Sequence, residues 1–165
     1  MSRQINTVEL NGIHVWLEGG DTGDSVTLKN VNFSGSQITR AIFSDTYFQD
    51  CDFSEAHLND SYMRFTDASC HFTNAEIIGA TINLTPAQLQ STSSYKRKSL
   101  RGTELGLTSV SQGVSFEGFD LRNCILYLGK AVRNRQLEIV TRTTAGTNCD
   151  FTDARIEGLQ LIANP

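Results

Sequence analysis

The chain has 165 residues, enough for one domain with a continuous core and too few for several. Its formal charge of -4 and pI near 5.3 exclude a general nucleic-acid binder, which carries a strong basic excess, and disfavour attraction to an anionic membrane surface; a cationic partner is mildly favoured. The opening MSRQINTVELNGIHVWLEGG lacks the unbroken apolar core of a secretory signal, and no apolar run approaches the roughly 20 residues of a membrane span, so a soluble, cytoplasmic chain is expected.

Residues 1–25 read as an N-terminal cap. Within them, residues 5–17 alternate apolar and polar, with Val8, Leu10, Ile13, Val15 and Leu17 facing one way and Trp16 the other, which predicts one or two short strands around Asn11-Gly12. GGDTGD at 19–24 is a turn; its GGxGxD spacing is off and it occurs once, whereas calcium-binding turns of that kind need stacked copies.

From Val26 to Asn83 the chain divides every five residues: VTLKN, VNFSG, SQITR, AIFSD, TYFQD, CDFSE, AHLND, SYMRF, TDAS, CHFTN, AEIIG, ATIN. A large apolar residue stands at the centre of nearly every unit: Leu28, Phe33, Ile38, Phe43, Phe48, Phe53, Leu58, Met63, Phe72, Ile77 and Ile82. Two places before it comes a small or β-branched residue, such as Ala41, Cys51, Ala56, Cys70, Ala75 or Ala80. Neither the 3.6-residue helical period nor the two-residue strand period keeps a five-residue row on one face. A chain that bends every five residues does, with coils stacking at the inter-strand spacing of about 4.8 Å. TDAS has only four residues and places Ala68 at a centre, so a tightened or poorly filled corner is expected there.

The pattern resembles the pentapeptide repeat family, with consensus A(D/N)LXX, which CDFSE, AHLND, FDLRN (119–123) and CDFTD (149–153) match closely. The resemblance implies an all-β fold, a right-handed quadrilateral β-helix with four units to a coil, and a single domain over 1–165. The regular coils run 26–83. An insertion at 84–99 follows, in which Thr85 can cap a short helix beginning at Pro86. The stretch LTPAQLQSTSSYKRKSLRG is similar to one found in a subset of bacterial pentapeptide repeat proteins, including some secreted effectors. Coils resume over 100–128, with centres at Leu100, Leu105, Val110, Phe116, Leu121 and Leu126; a second insertion spans 129–147; Phe151, Ile156 and Leu161 complete a final coil over 148–165, with Ala154 at a small inward position.

The four cysteines, Cys51, Cys70, Cys124 and Cys149, all occupy the small inward position without CxxC spacing, which reads them as buried core residues with free thiols and points away from a metal site. His57 and His71 fall on different sides, and neither a GxSxG elbow nor a phosphate-cradling glycine loop occurs, so no catalytic residue, cofactor or metal is expected and the chain reads as non-enzymatic. Asp45, Asp50, Glu55 and Asp60 share one position in four consecutive units, one per side, and therefore circle the coil. Ile42, Tyr62, Phe65 and Leu84 are read as an outward apolar row on the side built on Phe43, Met63 and Ile82. Either the 84–99 insertion covers this row with Leu89, Tyr95 or Leu100, or the row is a partner or homodimer interface. Lys96, Arg97, Lys98 and Arg101 in the first insertion, and Arg133 and Arg135 in the second, add basic candidates.

These features predict a rigid scaffold for protein–protein interaction with an unidentified protein partner, specificity residing in the two insertions, and no direct nucleic-acid or membrane binding. Two alternatives follow from the resemblance: a DNA-mimicking modulator of DNA gyrase, as in quinolone-resistance members of the family, and a fragment of a secreted effector.

Overall fold

A chain that must turn after every five residues needs a backbone conformation that reverses direction cheaply, and the corner residues supply it. The computed structural model describes residues 14–15, 26–43, 46–63, 65–107, 114–128 and 149–163. In a representative unit the Ala56 N–H donates to the Phe53 carbonyl at 3.1 Å, closing a β-turn, while Glu55 adopts φ 62°. Positive φ recurs at Arg40, Asp60, Asn74, Asn123 and Asp153 and at Gly35, Gly79, Gly102, Gly118 and Gly158. A β-turn with positive φ at its third residue favours Gly and Asn, and Asp tolerates it better than most residues. Where an Asp or Asn precedes the centre it secures the same corner: Asp52 accepts the Ser54 N–H at 2.9 Å, and Asn32 the Ser34 N–H at 2.8 Å.

Between corners the units pair in parallel with those one coil away. The strands are β1 (His14–Val15), β2 (Val26–Lys29), β3 (Ile42–Phe43), β4 (Thr46–Gln49), β5 (Tyr62–Met63), β6 (Phe65–Thr66), β7 (Thr81–Leu84), β8 (Glu104–Leu107), β9 (Ile125–Leu128) and β10 (Gln160–Ala163). They form a seven-stranded sheet, β1-β3-β5-β7-β8-β9-β10, and a three-stranded sheet, β2-β4-β6. Single parallel bridges, Asn32 to Asp52 to His71 and Gln37 to His57 to Glu76, link the other two sides. Pairs such as Val26 with Thr46 and Ile42 with Tyr62 are four five-residue units apart, so the β-solenoid is four-sided. We name its sides by the centres Phe48, Phe53, Leu58 and Met63. β1 joins the Met63 side; Asn11-Gly12, Trp16, GGDTGD, Asp45, Val110 and the whole 129–147 insertion lie outside the described residues.

Centres and small inward residues fill the interior. Phe53, Leu58, Met63, Ile77, Ile82, Leu105, Phe116, Leu121 and Leu126 are fully buried, as are Ala56, Ala75, Ala80 and Cys124. Phe53 stacks between Phe33 and Phe72 at centroid distances of 4.9 and 5.2 Å, and Phe116 stacks on Phe151 at 5.3 Å. The small inward side chains also satisfy backbone carbonyls: the Cys51, Cys70 and Cys124 thiols donate to Leu28, Phe48 and Leu100, and the Thr103 hydroxyl to Ile77. Among the described residues no buried side-chain nitrogen or oxygen lacks a partner. Leu28, Phe151, Ala154 and Ile156 are half-buried, and Leu161 is 39 % exposed because β10 is the last described strand of its sheet.

Two expectations are corrected. Phe48 pairs with Thr66, not with Ala68, so Thr66 takes the centre of the short unit and Ala68 sits exposed in a turn closed by the Cys70 N–H to the Asp67 carbonyl. Ile42 pairs with Tyr62 but Tyr47 with Phe65 and Asp52 with His71, so the coil is two residues shorter between Met63 and Phe65, and the turn in which Asp67 accepts the Ser69 N–H at 2.9 Å gives one of them back. The first insertion does not fold back over the Met63 side. Thr85 caps α1 (Pro86–Ser91) in a capping box with Gln88, and Thr92 caps α2 (Ser93–Lys96). The helices take the place of a coil on the Phe53 side: Gln88 Nε2 donates to the Asp67 and Cys70 carbonyls, Asn74 N–H to Ser91, and Ser93 N–H to Ala75. Leu89 and Leu100 are buried in the core, and Tyr95 packs on Phe119 at 4.8 Å.

Candidate interaction surfaces

Parallel register decides which outward residues align. On the Met63 side the row is Ile42, Tyr62, Thr81, Glu104, Ile125 and Gln160, and a second row carries Asn83, Gly106, Tyr127 and Ile162. Ile42 and Tyr62 are neighbours, as the sequence predicts, and both are half-buried. The other two members of the expected apolar row are not in it. Leu84 points inward, 1 % exposed, because β7 is a four-residue strand in which Ile82 and Leu84 alternate with outward Thr81 and Asn83. Phe65 belongs to β6 and pairs with Tyr47 on the Phe48 side. Ile125 and Tyr127 do belong; the sequence signal was there, since Ile125 precedes the centre Leu126 as Tyr62 precedes Met63. Among the described outward residues of this side Glu104 is the one charge, hydrogen-bonded to Thr81 at 3.3 Å.

The Leu58 side is charged and internally paired. Glu76 is its hub: Oε1 accepts from Arg97 at 2.6 Å, and Oε2 faces His57 Nδ1 at 2.9 Å and Asn59 Nδ2 at 3.1 Å. The Arg97 guanidinium, then the Asn59 and His57 contacts, hold the Glu76 carboxyl below its ordinary range against the opposing effect of burial. Lys96 Nζ donates to Asn74 at 2.6 Å, so the basic insertion fastens itself to the preceding coil; Lys98 is exposed. Further along, Arg122 grips Asp120 through both Nε and Nη2, at 2.8 and 2.7 Å, and lowers its carboxyl to about 2. Arg133 and Arg135 lie outside the described residues.

The circling acids have a local explanation. Asp50, Glu55 and Asp60 all sit at corners with positive φ. Their neighbours in register are not acids: Asp50 N–H bonds to Ser69 Oγ, Glu55 aligns with Gly35 and Asn74, and Asp60 leans over Gly79, where an added Cβ would collide with its Oδ1. No two carboxylates stack in these columns, which argues against a phosphate-like ladder. Among the described residues no three His, Cys, Asp or Glu side chains come together as metal ligands, and no helix is long and apolar enough to cross a membrane.

Comparison with known proteins bears on the repeat. No curated protein matches the chain. Among solved structures it is similar to a pentapeptide repeat protein, Rfr23, from the cyanobacterium Cyanothece 51142, at 16% identity over 93% of this chain and 87% of that one, with a TM-score of 0.34. It is also similar to QnrB1, a plasmid-mediated fluoroquinolone resistance protein, at 14% identity over 94% and 90% of the two chains, with a TM-score of 0.26. The family model of pentapeptide repeats matches residues 41–85 in 8 copies, the stretch whose corners and stacked centres are described above.

Proposed function

We propose that the protein is a non-enzymatic scaffold that binds a protein partner on its Met63 side. The observation that carries this reading is the contrast between sides. The Leu58 side uses its charges on itself, whereas the Met63 side is a continuous seven-stranded wall whose described outward residues include Ile42, Tyr62, Ile125 and Tyr127 and a single carboxylate. Parallel strands pinned at every corner make such a wall rigid, so a partner binds without the cost of ordering it. Weakly charged surface with tyrosines is the composition that protein interfaces favour.

The test is affinity capture from lysate of the source cells with three forms: the native chain, a Tyr62→Arg/Ile125→Arg variant, and an Arg101→Glu variant altered on the Leu58 side. The native chain and the Arg101 variant are expected to retain a partner that the double variant loses, with circular dichroism unchanged. A partner held equally by all three forms sinks the assignment of the surface, and the absence of any partner for the native chain sinks the scaffold reading.

A further inference from the structure

We infer that Cys51 and Cys70 form an interior dithiol that a hydroperoxide can close into a disulfide, clamping one coil of the solenoid to the next. Both occupy the small inward position of the Phe53 side, one coil apart: Asp52 bridges His71, and the His71 N–H donates to the Cys51 carbonyl at 2.9 Å. Residues one coil apart in register are separated by about 4.8 Å, within the Cα–Cα range that a disulfide spans. No other two of the four cysteines are placed this way. Cys124 is on the Met63 side, its carbonyl taking the Gln160 N–H, and Cys149 is aligned with Val114.

The two sulfurs are chemically unequal. The Cys70 proton can go to the Phe48 carbonyl, at 3.3 Å, or to the Cys51 sulfur beside it. That second donation, with backbone help from Val31 and Gln49, lowers the Cys51 thiol despite burial, while the same contact and burial push Cys70 up. Attack by either sulfur leads to the same bond, and Cys51, the thiol lowered in the pair, is taken first. Its thiolate attacks one oxygen of the hydroperoxide, the O–O bond breaks, and the departing oxygen leaves as water or alcohol after taking a proton. The Cys70 sulfur then attacks the sulfenic sulfur, the S–S bond forms, the S–O bond breaks, and hydroxide leaves as a second water with the Cys70 proton. The peroxide gains two electrons, one from each sulfur. Cys51 and Cys70 are 0 % and 2 % exposed, so oxidation of the folded chain waits on local opening, and the finished bond is shielded from reductants.

The experiment treats the full reduced chain with hydrogen peroxide in two ways, folded and during refolding from urea, which removes the question of access. Free thiols are expected to fall from four to two, the mass to drop by two hydrogens, and peptide mapping to join Cys51 to Cys70, more slowly for the folded chain. The linked form should unfold at higher urea concentration than the reduced one. A refolded sample that keeps all four thiols, that joins a different pair, or that carries sulfinic acid on Cys51 with no cross-link overturns the inference.

Discussion

Replacing Phe53 by alanine tests the stacking register directly. The ring is fully buried, lies nearly parallel to Phe33 and Phe72, at 6° and 11°, and meets Phe48 edge-on at 5.3 Å. Removing a buried Phe side chain costs about 3–5 kcal/mol through lost transfer energy and the cavity left behind. Each aromatic contact adds about 0.5–1.5 kcal/mol beyond burial, and Phe53 has three, so the expected loss lies near the upper end, about 5 kcal/mol. Phe151 is the internal control: half-buried, with one stacked partner, Phe116, it should cost only about 2 kcal/mol as alanine. The assay is urea unfolding followed by circular dichroism, with the slope compared to establish that the same surface is exposed. A Phe53→Ala loss no larger than that of Phe151→Ala would refute the argument, because it would mean that the coils do not stack through this column.

Further outcomes follow from the same geometry. Gln88→Ala removes half of the capping box and the two bonds to the Asp67 and Cys70 carbonyls; it should cost about 2–3 kcal/mol, and faster amide exchange should appear at 67–70. Glu76→Gln tests a pH dependence: the folded carboxyl titrates below its unfolded value of about 4.3, so its contribution is complete above that pH and lost as the pH falls through the folded value. Urea midpoints of the native and Glu76→Gln chains should accordingly differ near neutrality and converge in acid; a constant difference at all pH values contradicts the role given to its charge. The unstacked carboxylates predict that the purified protein leaves supercoiling by DNA gyrase unaltered even in large excess; inhibition would restore the DNA-mimic reading.

Much of the fold is legible because one period carries both the packing and the turns. The centres and the small inward residues report burial, and Asp, Asn and Gly two places after a centre report positive φ, so the two signals reinforce each other at each corner. Legibility fails where a residue is dropped. At TDAS a count in fives lands on Ala68, but the pairing of Phe65 with Tyr47 leaves the chain already two residues short after Met63, so Thr66 inherits the centre and the turn through Asp67 gives one residue back before His71. The first insertion is the other failure. Its helix start at Pro86 can be read from Thr85 and Gln88, but that it stands in for a coil depends on long-range bonds from Asn74 and Ser93, which no local pattern encodes.

The surface is harder to read than the core for a physical reason. An inward residue is selected by the same five-residue rule in every coil, whereas an outward one is constrained only by its neighbour about 20 residues away, and each inserted or deleted residue shifts which neighbour that is. Ile42 and Tyr62 lie before the break in register and are neighbours; Phe65 lies after it and falls on the Phe48 side, while Leu84 turns inward because β7 continues for four residues. A row of outward side chains can thus be trusted only as far as the register is unbroken. The same reasoning favours Ile125 and Tyr127 over Leu84 as the continuation of the wall, since they are fixed by the pairing of β8, β9 and β10 and not by counting from Val26. It also explains why the acids look patterned in the sequence and scatter in space: a shared place within the unit puts Asp50, Glu55 and Asp60 at three successive corners, so what repeats is the turn and not the charge.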